Sequence, residues 1–169
     1  MKRLIQLAVI LSMIAAPVFT SETNAKNAYE NEQIICLAKN IYFEARSSSF
    51  ADQAAVADVV MNRVEHDNYP DTICEVVYQG RQDSKGNMIR HQCQFSWYCD
   101  GKSDKIPYVH ENDSYWKAID IASDMFFNST WRGLTEGSTH YHADYVKPAW
   151  RHNLVLTGRI GEHIFYRQR

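Results

Sequence analysis

Several residues in this 169-residue chain have the types and spacings that chemistry requires. Glu44 shares a helical stripe with Leu37 and Ile41, spaced four and then three residues. A carboxyl on an apolar stripe loses hydration, so its pKa rises toward neutrality and it can hold a proton to donate at working pH. The same position would also suit a Glu paired with Lys39 or Arg46, or one reaching solvent at a fraying helix end. His140 and His142 stand two apart within Thr139-His140-Tyr141-His142-Ala143-Asp144. On a strand they would share a face, either chelating a metal together or hydrogen-bonding in a pocket, although no third ligand lies nearby. The run Cys93-Gln94-Phe95-Ser96-Trp97-Tyr98-Cys99-Asp100 combines aromatic faces with amide and hydroxyl groups, which suits sugar rings. Phe95 and Trp97 would equally well plug a core. Asp58 and Asn62, one turn apart, interrupt an apolar pattern; they mark a solvated face or else orient Glu44 and bind substrate. A second catalytic carboxylate, if the reaction needs one, would come from Asp52, Asp58 or Glu65.

The elements that must position these groups are mostly helices. Ile34, Leu37, Ala38, Ile41, Tyr42 and Ala45 follow the i, i+3, i+4 rule and predict a helix from about Glu30 to Ala45, broken by Ser47-Ser48-Ser49. A second helix is expected from about Ala51 to Glu65, with alanines that allow a neighbour to approach closely. Tyr69-Pro70-Asp71 turns the chain. Thr72-Ile73-Cys74-Glu75 then reads as a capping box opening a short helix to about Gln79. Residues 80–112 form a long polar segment expected to be a functional loop. A helix from about Ser114 to Asn128 would carry Trp116, Ile119, Ala122, Ser123 and Phe126 on one stripe. Short β-like runs follow at Thr139 to Ala143 and His163 to Arg167, with turn signals at Gly137, Gly158 and Gly161. The fold class is α+β, mostly α, in a single domain with a small β element.

The N-terminus reads as an export signal. Lys2 and Arg3 precede an almost wholly apolar run from Leu4 to Ala16, and Thr23 and Ala25 suit the −3 and −1 positions of a cleavage site. The expected organisation is a signal peptide at 1–25 and a catalytic domain at 26–169; a retained anchor is the other reading. Membrane contact is then limited to the signal segment, and the protein is exported to the periplasm or secreted. Cys36, Cys74, Cys93 and Cys99 agree with an oxidising compartment and allow three pairings. Cys93 and Cys99 could staple a loop, and Cys36 and Cys74 would then tie two helices together. With 18 Lys+Arg against 20 Asp+Glu and no basic stripe, nucleic acid is not an expected partner.

Ile41-Tyr42-Phe43-Glu44-Ala45-Arg46 and Val59-Val60-Met61-Asn62-Arg63-Val64 resemble the core of the SleB/CwlJ-type cell-wall hydrolases. Further matching segments are Cys74 to Gln79, Cys93 to Gly101, Thr139 to Pro148 and Ile160 to Tyr166, so the resemblance covers about residues 34 to 167. It implies a lysozyme-like fold related to resuscitation-promoting factors and lytic transglycosylases. It also implies peptidoglycan cleavage with Glu44 as the catalytic residue. Asn62, Gln94, Ser96, Trp97, His140, Tyr141 and His142 are then the expected substrate-binding residues, with no metal, no cofactor and a monomeric protein acting on glycan strands. One departure is Ser47-Ser48, where the family carries Gly-Glu or Ser-Glu, so the second acidic residue is missing. The expected reaction is lytic transglycosylation at the MurNAc–GlcNAc bond. The rivals are a metal-dependent amidase or peptidase using His140 and His142, and a non-catalytic peptidoglycan-binding protein.

Overall fold

A computed structural model describes residues 19–169; residues 1–18, which hold most of the expected signal segment, lie outside it. Helix α1 spans Phe19–Ala45 and α2 spans Phe50–Val64. Helix α1 starts well before the expected Glu30; residues 22–29 are exposed, so no apolar periodicity marks that part as helix in the sequence. An i, i+4 pair, Lys26–Glu30 at 3.7 Å, supports that exposed part. Ser49 caps α2 by accepting a hydrogen bond from the Asp52 amide. Helix α3, Ile73–Val77, opens with half of the expected capping box: the Thr72 side chain accepts from the Glu75 amide at 3.2 Å, while the Glu75 carboxylate accepts from the Thr72 hydroxyl at 2.8 Å rather than from its backbone N–H.

Residues 80–112 are not the continuous loop that their polarity suggests. Strands β1, Gly80–Gln82, and β2, Met88–Cys93, pair antiparallel, and Asp83 organises the turn between them. Its carboxylate accepts from the amides of Lys85 and Asn87, which polar composition alone does not reveal. A short 3-10 helix, Ser96–Cys99, follows. Helix α4, Asp113–Asn128, buries Tyr115, Ala118, Ile121, Ala122 and Met125, one position off the stripe expected from the sequence. Trp116 is consequently 47% exposed. The last sheet is antiparallel with order β3-β5-β4, from His140–Ala143, His163–Arg167 and Val155–Ile160. Sequence spacing does not mark strand β4, because Gly158, which sits at its register irregularity, reads as a turn signal.

The main core joins the four helices through Leu37, Ile41, Val60, Val76, Ile121 and Met125. Ala54, Ala55 and Ala57 are fully buried, as expected of small residues where helices pack closely. A smaller cluster of Ala55, Val59 and Phe165 seats the sheet on α2. The disulfides are Cys36–Cys74, linking α1 to α3, and Cys93–Cys99, closing the loop after β2. Among the described residues no helix is long and apolar enough to cross a membrane. The architecture is α+β and mostly helical, as the sequence predicts.

Candidate active site

The last turn of α1 delivers Glu44 to a cleft of about 360 Å³. The disulfide-closed loop contributes Gln94, Phe95 and Ser96 on one side, and β3 with the residues after it contributes Tyr141, His142 and Tyr145. Residues far apart in sequence meet here because α1 and α2 form the floor while β3 and β5 stand across it. Gln94 and Ser96 are exposed and line the cleft.

Glu44 is held by one strong contact. The Tyr141 hydroxyl donates to its Oε2 at 3.0 Å. Burial raises the Glu44 pKa, and the Tyr141 hydrogen bond, followed by the electrostatic influence of nearby His163 and Arg63, only partly opposes it. Tyr141 is held well above the usual tyrosine range, chiefly by its own burial and then by Glu44, so it stays a donor. With Oε2 accepting from Tyr141, a proton on the Glu44 carboxyl would sit on Oε1.

Arg63 lies behind this pair, only 4% exposed, and lines the cleft. Its Nε donates to the Thr139 carbonyl at 2.8 Å, and its guanidinium lies over the rings of Phe95 and Tyr69. Its place within the apolar register of α2 gave no sign of this role. His163 also lines the cleft, and its Nδ1 meets Asp52 Oδ1 at 2.7 Å. A carboxylate can only accept here, so Nδ1 carries the proton.

Three residues expected to bind substrate are not brought to the cleft. Asn62 belongs to a separate network: its amide donates to Thr135 and Ser138, and its oxygen accepts from Arg132. Asp58, next to it on α2, is fully buried rather than solvated, ion-paired with Arg132 and accepting from the amides of Gly133 and Thr135. Asp58 and Asn62 together hold the loop after α4, and neither lines the Glu44 cleft. Trp97 is buried, stacks on Phe43 at 4.6 Å and donates to Asn40 at 3.0 Å, so it plugs the core. His140 packs on Trp150 and bonds Thr139 Oγ1. His142 does reach the cleft wall, yet both its nitrogens are engaged, Nδ1 with the Ala143 carbonyl and Nε2 with the Tyr166 hydroxyl. Glu65 is exposed and paired with Arg132.

A family model described as Cell Wall Hydrolase matches residues 47–166. The chain belongs to the cell wall hydrolase family. The family match begins three residues after Glu44, so it assigns that residue no role. Among the curated relatives, this cell wall hydrolase is 26% identical over 143 residues to a spore cortex-lytic enzyme of Bacillus cereus, covering 85% of this chain and 47% of that protein. It is 25% identical over 146 residues to a spore cortex-lytic enzyme of Oceanobacillus iheyensis, covering 86% of this chain and 45% of that one. The chain thus spans about half the length of the curated relatives it matches. Among solved structures, the catalytic domain of Bacillus cereus SleB superposes with a TM-score of 0.55 at 25% identity, covering 80% of this chain and 91% of that one. The catalytic domain of the germination-specific lytic transglycosylase SleB from Bacillus anthracis gives 0.57 at 26%, covering 80% and 93%. The cell wall hydrolase fold here is therefore the lysozyme-like α+β fold of those domains.

Proposed function

We propose that this protein cleaves peptidoglycan glycan strands as a lytic transglycosylase with Glu44 as its acid/base. The observation that carries the reading is a single carboxyl in the cleft, raised in pKa by burial and oriented by Tyr141. Glu44 would protonate the departing glycosidic oxygen from Oε1. As a carboxylate it would then take the proton of the muramoyl 6-hydroxyl, which closes on C1 to give a 1,6-anhydro end. An internal hydroxyl makes a second carboxylate unnecessary, whereas glycoside hydrolysis of the usual kind employs two. Asp52, Asp58 and Glu65 do not line the cleft, which supports the one-carboxyl route. The relatives named as spore cortex-lytic enzymes, and the structural neighbour named as a lytic transglycosylase, support the same chemistry.

Gln94, Ser96 and the exposed ring of Tyr145 form the rim that would grip the sugars. Export, cleavage after Ala25 and action as a monomer complete the reading, and the two disulfides support the first of these. The test is mass spectrometry of fragments released from purified sacculi, with anhydro-muropeptides expected. Release of stem peptides alone would refute the reading. Intact mass of the exported protein should correspond to a start near Lys26.

A further inference from the structure

The cleft holds a second group built for proton transfer. Asp52 is fully buried, and both its oxygens are used: Oδ1 by His163 Nδ1 at 2.7 Å, Oδ2 by the Glu162 amide at 3.0 Å. Gly161 makes this approach possible. A Cβ there would lie 2.5 Å from Asp52 Oδ2, and its φ of +54° is itself one that side chains rarely adopt. The β4–β5 turn is thus closed onto one carboxylate, which fixes the ring and tautomer of His163.

The other face of that imidazole is turned to the cleft. His163 lines it, and among the described residues its Nε2 has no hydrogen-bond partner. His142 differs, since both its nitrogens are satisfied by the protein. Holding the hairpin needs only Asp52 and the Glu162 amide. It does not need an imidazole whose Nε2 lone pair faces the substrate side. Tyr141 links the two groups, bonding Glu44 through its hydroxyl and packing edge-on against His163 with ring centroids 5.0 Å apart.

The geometry points to His163, oriented by Asp52, as a general base that activates water and gives this cleft a hydrolytic branch beside transglycosylation. The inference rests on the glycan-cleaving reading above. In this branch the water oxygen bonds to C1 of the muramoyl residue as the C1–O4 bond breaks. The Glu44 proton passes to O4, and the water proton passes to His163 Nε2. Asp52 balances the resulting imidazolium, as an aspartate does beside a catalytic histidine. The proton then returns to Glu44 through solvent after the product leaves, and a reducing end remains.

The test is digestion of purified sacculi in H2¹⁸O, counting ¹⁸O-labelled reducing ends against 1,6-anhydro ends. The variants are His163→Asn and Asp52→Asn. In Asp52→Asn the Glu162 amide still requires an oxygen, so the new NH2 faces His163 Nδ1. That forces the proton onto Nε2 and removes the base while keeping the shape. Wild type should give both ends. Each variant should lower the labelled-to-anhydro ratio by at least about tenfold, in line with the loss of a general base. The ratio does not depend on how much protein is folded, so a variant that is merely unstable leaves it unchanged, and an unchanged ratio overturns the proposal. Anhydro ends alone from wild type also overturn it while leaving transglycosylation standing. Release of neither end overturns both readings.

Discussion

The Tyr141 hydroxyl and Glu44 Oε2 meet at 3.0 Å across 97 residues of sequence. The contact joins the end of α1 to the first sheet residues after α4, so the acid is positioned only once the sheet has docked on α2. It also sets the balance of charge at the site. Burial pushes Glu44 toward its neutral form, and the hydrogen bond pulls it back. Two opposing influences on one carboxyl are what the proposed acid/base role requires, since the group must hold a proton at one step and release it at the next.

Tyr141→Phe tests that balance. Losing a hydrogen bond to a group that becomes charged should lower kcat about 10- to 100-fold. It should also raise the Glu44 pKa further, because the bond being removed lowers it. The alkaline limb of the pH–kcat profile, where the acid loses its proton, should then move to higher pH. A profile of unchanged shape would show that Tyr141 does not tune Glu44.

Glu44→Gln should fold normally and lose roughly 100- to 10,000-fold in turnover on purified peptidoglycan, because glutamine cannot donate the proton. Stability should change in the opposite direction. A carboxyl whose folded pKa lies above its unfolded value keeps its proton longer in the folded state. Its contribution is therefore most favourable below about pH 4 and is lost as pH rises through the raised value. The variant should match wild type in acid and exceed it near neutrality in urea unfolding. A variant less stable at pH 7 would contradict the burial argument.

Much of this was legible in the sequence where local rules apply. The stripe of Leu37, Ile41 and Glu44, the Thr72 N-cap and the small-residue face of α2 each follow from spacing alone, and each is present. The parts that escaped depend on contacts between distant segments. Arg63 sits in the apolar register of α2, and nothing local tells a buried guanidinium between two rings from an ordinary surface arginine. Asp58 and Arg132 pair 74 residues apart, so Asp58 looked like a solvated position when it is a buried one. For Phe95 and Trp97 the sequence left a sugar-binding and a core-plugging role equally open, and the loop closed by Cys93–Cys99 buries both while Gln94 and Ser96 stay exposed.

The two disulfides should separate stability from activity. Cys36–Cys74 closes a sequence separation of 38, for which loop-closure entropy gives about 4 kcal/mol; Cys93–Cys99 closes 6, for about 2 kcal/mol. Replacing Cys36 and Cys74 by Ala should therefore cost more in Tm. Replacing Cys93 and Cys99 should act mainly on KM, because that loop carries Gln94 and Ser96 at the cleft rim. The native protein should show no thiol reactive without denaturant. Equal Tm losses with unchanged KM would show that the short loop is only a staple.

His140 bears on the stability of the sheet rather than on the cleft. Its ring lies against Trp150, and burial first, then the electrostatic influence of Arg63 and His66, lower its pKa from 6.5 to about 4. In the unfolded chain the same imidazole titrates near 6.5. Between those two values the unfolded state binds more protons than the folded one, so stability rises with pH across that window and is lost as pH falls through it. NMR titration should place the His140 ring transition near pH 4. His140→Gln should flatten the rise in unfolding free energy between about pH 4 and 6.5 relative to wild type. Activity should fall far less than in Glu44→Gln, because His140 lies outside the cleft, and added divalent metal should not change it. A His140 transition above pH 6, or a variant as inactive as Glu44→Gln, would place this residue in the chemistry after all.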